Sequence, residues 1–87
     1  MDGYLIHRVQ PEYPTIAKTA GIQGVVEIAA LISKEGAIEN LHVLKGHPML
    51  VSAAINAVRQ WRYRPYILNG DPIEVDTLIT VNFTLGR

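Results

Sequence analysis

The strongest constraint in this 87-residue chain is an alternation near its C-terminal end. Over residues 74–85, Val75, Thr77, Ile79, Val81, Phe83 and Leu85 share one parity, and Glu74, Asp76, Leu78, Thr80, Asn82 and Thr84 share the other. Successive side chains of an extended chain point to opposite faces. A pattern of period two this long therefore specifies a β-strand with one buried face. Only Gly86 and Arg87 follow it. With no later strand in this sequence to flank it, its outer side is expected to be a sheet edge, a template for another chain.

A second strand begins at Gly24. Val26, Ile28, Ala30 and Ile32 form one face and Val25, Glu27, Ala29 and Leu31 the other. Both faces are largely apolar, as suits a central strand. Residues 33–36, Ser-Lys-Glu-Gly, read as a turn with a glycine free to take positive φ. Residues 38–45 return as a strand on which Leu41 and Val43 share a face opposite Asn40 and His42.

The remaining segments punctuate or cross over. Residues 4–9 form an extended lead-in, and Pro11 and Pro14 keep the following stretch extended. Pro14 suits the first position of a short helix over residues 15–20, with Ile16 and Ala20 on one side and Gly21 as its stop. Pro48 starts a longer helix over residues 49–61, where Leu50, Ala54, Ala57, Val58 and Trp61 make one apolar stripe. Residues 62–68 are extended but interrupted by Pro65, which predicts an edge or irregular strand. Asn69-Gly70 signals a tight turn that Asp71-Pro72 continues.

These elements predict a single α+β domain over residues 1–87 with its core in residues 9–85. A hairpin, a crossover helix and a last strand give a mainly antiparallel sheet in spatial order 2-1-3, with both helices packed on one face. The sheet has three strands, or four if residues 63–68 fold back over the last one.

Composition excludes several functions. At 48% hydrophobic and 18% charged residues, the chain is globular. Zero formal net charge argues against a nucleic-acid binder driven by counterion release and against a polybasic membrane module. The absence of cysteine removes disulfides, thiolate metal sites and a cysteine nucleophile. Residues 1–4 have no signal-peptide character, and no apolar run is long enough to span a bilayer. The chain is expected to be soluble where it is made, or to be an excised domain.

No residue pattern signals catalysis or a cofactor. His7, His42 and His47 lack metal-ligand spacing, Ser33 and Ser52 lie in no nucleophile elbow, and Gly21-x-x-Gly24 has no following Lys-Ser/Thr. Glu35, Glu39, Asp71, Glu74 and Asp76 read as a solvated surface. Arg59, Arg62 and Arg64, with Tyr63 and Tyr66, form a small basic-aromatic cluster. Its arginines are expected to pair with Asp71, Glu74 or Asp76 and not to bind nucleic acid. Recognition of an extended peptide by the last strand's edge is what remains. The alternatives are that residues 63–68 cover that edge, or that it pairs with a second copy of the domain.

Read in order, Gln10-Pro11-Glu12-Tyr13-Pro14, Gly24-Val25-Val26, Gly36, Ala53-Ala54, the run from Ala57 through Trp61-Arg62-Tyr63-Arg64 to Pro65, Gly70 and Val81-Asn82-Phe83 form a set spanning residues 9–85. The set resembles the C-terminal domain of the TonB family of energy transducers. The resemblance implies two helices against a three-stranded sheet and neither enzymatic activity nor a cofactor. It implies a periplasmic domain of a protein anchored in the inner membrane of a Gram-negative bacterium, working with proton-driven motor proteins. Its implied partners are the TonB box, an extended peptide of outer-membrane receptors, and the receptor plug. Force on the box would admit siderophores, cobalamin or other scarce nutrients.

By the same resemblance, Gln10, Pro11 and Tyr13 contact the box or receptor. Asp76, Thr77, Leu78, Ile79, Thr80, Val81, Asn82 and Phe83 supply the pairing strand. The family's membrane anchor and proline-rich spacer are not in this sequence, which implies an excised domain. The turn at residues 69–71 implies a longer hairpin than some members have. Related domains also occur on other periplasmic or membrane proteins, so a peptide-binding or self-pairing assembly module is the alternative.

Overall fold

The computed structural model describes residues 5–85. Tyr4, the first residue of the expected lead-in, lies outside the described residues. So do residues 1–3, included in the leader reading, and Gly86 and Arg87. The element order is β1 (Leu5–His7), α1 (Thr15–Thr19), β2 (Gly24–Ile32), β3 (Ile38–Lys45), α2 (Pro48–Val58), β4 (Arg62–Tyr63), β5 (Tyr66–Leu68), β6 (Asp71–Ile73) and β7 (Val75–Phe83).

The main sheet has the expected architecture: three strands in the order β3-β2-β7, with β2 in the centre and antiparallel to both neighbours. The β2–β7 ladder is unbroken from Gly24↔Phe83 to Ile32↔Val75. Its regularity follows from the two matching alternations. Val26, Ile28, Ala30 and Ile32 bury one face of β2, and Ile79, Val81 and Phe83 bury the same face of β7. The opposite parity of β7 faces out, where even Leu78 is 60% exposed.

β3 is less regular. Its pairing with β2 shifts between Leu31↔Glu39 and Ala29↔His42, and again between Ile28↔Val43 and Glu27↔Lys45. Asn40 takes φ 51° at the first shift, an extra residue accommodated in the left-handed region that asparagine tolerates. That bulge lets Ile38, in the core, share a face with Leu41 despite their odd spacing. The β2–β3 turn is closed by Ser33, whose Oγ accepts from the amides of Ala37 (3.0 Å) and Glu35 (3.3 Å).

α2 lies on β2 and β3 and packs against α1. Leu50, Ala54, Ala57 and Val58 form its buried stripe, as the sequence predicts. Pro48 occupies its first turn, and His47 caps it by accepting the Met49 amide at Nδ1 (3.1 Å). The helix ends at Val58 and not at Trp61. The Gln60 and Trp61 amides donate to the Ala57 and Val58 carbonyls in a tightened last turn. Trp61 is still buried, at 4% exposure, but from a position beyond the helix.

α1 ends in a Schellman arrangement. The Ile22 amide donates to the Ala17 carbonyl, the Gly21 amide donates to that of Lys18, and Gly21 sits at φ 71°. Pro14 is its N-cap and not its first helical residue. The inward residue is Ala17, and the side that Ile16 and Ala20 share is exposed.

Residues 62–68 do not join the sheet. β4 pairs with β1, and β5 pairs with β6 across Asn69-Gly70. Both turn residues have positive φ, as a two-residue hairpin turn requires. Asp71-Pro72 belongs to β6 and not to the turn; Pro72 is tolerated because a two-stranded ribbon leaves free donor positions. β4 docks through the Tyr63 amide, which donates to the Gly36 carbonyl (2.8 Å). The expected arginine ion pairs are absent among the described residues. Arg62 donates instead to the carbonyls of Arg59 and Trp61.

Candidate functional site

β7 is an edge strand. One side is paired with β2, and among the described residues no strand pairs with the other side. Alternate backbone N–H and C=O groups along nine residues therefore lack a strand partner there. Asp76, Leu78, Thr80 and Asn82 are exposed; Ile79, Val81 and Phe83 are core. Thr77 is half-buried, and its Oγ1 is buried without a hydrogen-bond partner. The far end of the strand is held by the Leu85 amide, which donates to Gln23 Oε1 (2.8 Å).

A cleft of about 360 Å³ runs beside β7. Leu78, Ile79, Thr80 and Asn82 line it from β7, and Leu5, Arg8, Trp61 and Tyr63 line it from the β1–β4 side. The Arg8 guanidinium carbon lies 5.2 Å from the Trp61 ring centroid. The indole is in turn fixed by its Nε1–H, which donates to the Val9 carbonyl (2.9 Å).

The proline-flanked segment borders a different space. Val9, Gln10, Glu12, Tyr13, Pro14 and Thr15 face Ser52, Ala53, Asn56, Ala57 and Gln60 of α2 and its C-terminal turn across a groove of about 490 Å³. Exposed Gln10 thus lines the α2 groove and not the β7 cleft, and half-buried Pro11 follows it. The Val9–Trp61 hydrogen bond lies where the chain passes from one space to the other. Tyr13 joins the segment to β7 structurally. Its ring meets Phe83 edge-on, with centroids 5.5 Å apart, and its hydroxyl donates to the Ile22 carbonyl.

Arg8, Leu5 and Trp61 were not expected at the site. Trp61 read as core because its spacing completes the α2 stripe. Arg8 carried no motif; a lone cation two residues before Gln10-Pro11 was the available signal. No cluster of His, Asp or Glu among the described residues could hold a metal ion, and no described helix is long and apolar enough to cross a membrane.

Comparison with known proteins agrees with this architecture. The family model described as the Gram-negative bacterial TonB protein C-terminal matches residues 9–85. The chain is 34% identical over 80 residues to protein TonB of Vibrio cholerae, covering 90% of this chain and 33% of that protein. It is 33% identical over 81 residues to protein TonB of Escherichia coli K12, covering 91% and 34%. It thus spans about a third of the length of these relatives. The solution structure of the Pseudomonas aeruginosa TonB C-terminal domain superposes with a TM-score of 0.81 at 25% identity, covering 95% of this chain and 86% of that one. The TonB2 protein of Vibrio anguillarum gives 0.71 at 30% identity, covering 94% and 80%. A family model that matches residues 9–85, which hold both the proline-flanked and the strand motifs, together with the same α+β fold, means that this chain belongs to the TonB C-terminal domain family.

Proposed function

We propose that the domain binds an extended peptide by strand addition to the free side of β7, and that this peptide is the TonB box of an outer-membrane receptor. The observation that carries this reading is the nine-residue edge with a regular, unbulged backbone and, among the described residues, no strand over it. An added strand would gain main-chain hydrogen bonds along residues 76–83, with side-chain discrimination from the neighbouring cleft. Gln10 and Pro11 would meet the part of the receptor that continues beyond the added strand, and Tyr13 would hold that segment against Phe83.

In the full-length protein this domain would stand in the periplasm, tethered to the inner membrane. It would pass force from proton-driven motor proteins to the receptor plug for uptake of siderophores, cobalamin or similar nutrients. Family membership and the matched length of the TonB relatives support this reading.

Titration of a TonB-box peptide into 15N-labelled domain tests it. Amide shifts should concentrate on residues 76–83 and 10–13. Shifts confined to β3 or the β5–β6 hairpin, or none at all, would reject it. The same open edge favours a second reading, pairing of β7 between two copies. Sedimentation that stays monomeric at high concentration rejects that one.

A further inference from the structure

The β5–β6 hairpin has little of the fold behind it. It holds three pairs, Tyr66↔Ile73, Ile67↔Pro72 and Leu68↔Asp71, and its extensive packing is with itself. Tyr66 at its base is packed against the core, whereas Ile67 and Leu68 are 59% and 57% exposed and residues 69–72 are all exposed. A two-stranded ribbon this short is marginal in water, so the arm opens at far lower cost than the whole domain. Its tip is Asn69-Gly70, at φ 53° and 86°. Among the described residues, neither the Asn69 side chain nor the Gly70 amide makes a hydrogen bond, and a Cβ on Gly70 would stand in open space.

From this tip we propose an uncatalysed modification site: Asn69 converts to isoaspartate when the arm opens, and the product unlatches the arm while the β3-β2-β7 sheet stays folded. The inference is independent of strand addition to β7. In mild base the Gly70 backbone nitrogen gives its proton to hydroxide and attacks Asn69 Cγ. A Gly70 N–Cγ bond forms and closes a five-membered imide; the Cγ–Nδ2 bond breaks, and Nδ2 takes a proton from water and leaves as ammonia. Water then opens the imide. Breaking the bond from Gly70 N to the Asn69 main-chain carbonyl carbon routes the backbone through Cγ and leaves that carbonyl as a carboxylate. One water enters, one ammonia leaves, and nothing is oxidised or reduced.

Position and sequence both favour this asparagine. Without a Cβ, Gly70 does not obstruct ring closure. Asn40, Asn56 and Asn82 precede Leu41, Ala57 and Phe83 inside β3, α2 and β7, where a side chain crowds the attacking nitrogen and regular backbone holds it. Ring closure takes Asn69 out of its hairpin-turn conformation, so the rate reports how often the arm opens. The product no longer fits the arm. Its extra backbone methylene displaces the Leu68↔Asp71 pairing, and its carboxylate adds a negative charge beside Asp71 and near Glu74.

The test holds the folded domain, and the same chain in guanidinium, in warm, mildly alkaline buffer. A gain of about 1 Da is followed by mass spectrometry, and fragmentation locates the isoaspartate. The folded domain should gain it at Asn69 at more than about a hundredth of the unfolded rate, because waiting for the whole domain to unfold would slow it about a thousandfold or more. Asn69→Gly removes the side-chain amide and keeps a residue suited to positive φ, and should show no gain. In the modified domain, 15N amide shifts should move over residues 66–74 and stay in place along β2. A folded-state rate below that hundredth overturns the proposal. So does a gain that persists in Asn69→Gly, or a modified domain whose β2 amides have moved.

Discussion

Replacing Trp61 separates two things that its side chain does. The indole fills the core beyond the end of α2 at 4% exposure, and its Nε1–H holds the Val9 carbonyl across 52 residues of sequence. Truncation to alanine removes both, and large aromatic-to-alanine changes in a core cost about 3–5 kcal/mol. Trp61→Phe retains most of the packed ring and loses only the hydrogen bond. Half-buried Val9 can expose its carbonyl to water, so that loss is about 1 kcal/mol. A domain of this size has roughly 4–13 kcal/mol in total. Alanine should therefore remove roughly a quarter of the stability or more, and phenylalanine should lower the melting temperature by about 4–8 °C. Urea denaturation followed by far-UV circular dichroism is the assay, because both variants lack the only tryptophan fluorophore. If the two variants lose equal stability, the tether and not the packing dominates. If alanine costs under about 1 kcal/mol, Trp61 is not the core residue described.

Four smaller perturbations test other parts of the fold. Thr77→Val removes a buried hydroxyl with no partner and should stabilise by about 1–2 kcal/mol; a lower urea midpoint would show that the hydroxyl is satisfied in solution. Gly36→Ala would force a Cβ into the Tyr63 carbonyl at φ 88°, and should cost about 2–4 kcal/mol and loosen β4 in hydrogen exchange; an unchanged midpoint would refute that docking. His47→Ala deletes the α2 N-cap and should cost about 0.5–2 kcal/mol by thermal melt, whereas His47→Asn should recover most of it. Gln10→Ala, at an exposed position, should leave the melt unchanged and weaken peptide binding in the same titration; unaltered affinity would remove Gln10 from the site.

What the sequence made legible depended on whether the deciding interaction was periodic. β7, β2 and the α2 stripe were readable because each packs one face over several turns or pleats. In β7 this held even against side-chain type, with Leu78 outward and Thr77 inward. Where a position is settled by one distant partner, periodicity is silent. Arg62 and Tyr63 look like the start of a longer strand, yet they pair with Leu5 and His7, more than 50 residues away. Trp61 matches the α2 stripe by spacing and satisfies it from beyond the helix. Asp71 and Pro72 are turn-forming residues that the two-residue turn at Asn69-Gly70 left for a strand. The site was legible as a strand and as a proline-flanked motif. It was not legible as two spaces, because the backbone steps from Arg8 to Gln10 beside the Trp61 indole.

The two outer strands of the sheet are unequal in a way that limits assembly. β3 carries two register shifts, and its second one leaves Leu44 60% exposed, whereas β7 runs straight through nine paired residues. A bulged border resists docking by another backbone, and a straight one invites it. Of the two outer strands of the main sheet, β7 is therefore the one that offers a straight socket. Two copies joined through that socket form a closed, two-fold pair with no further site to extend, so association of this kind ends at two and cannot grow into a ribbon.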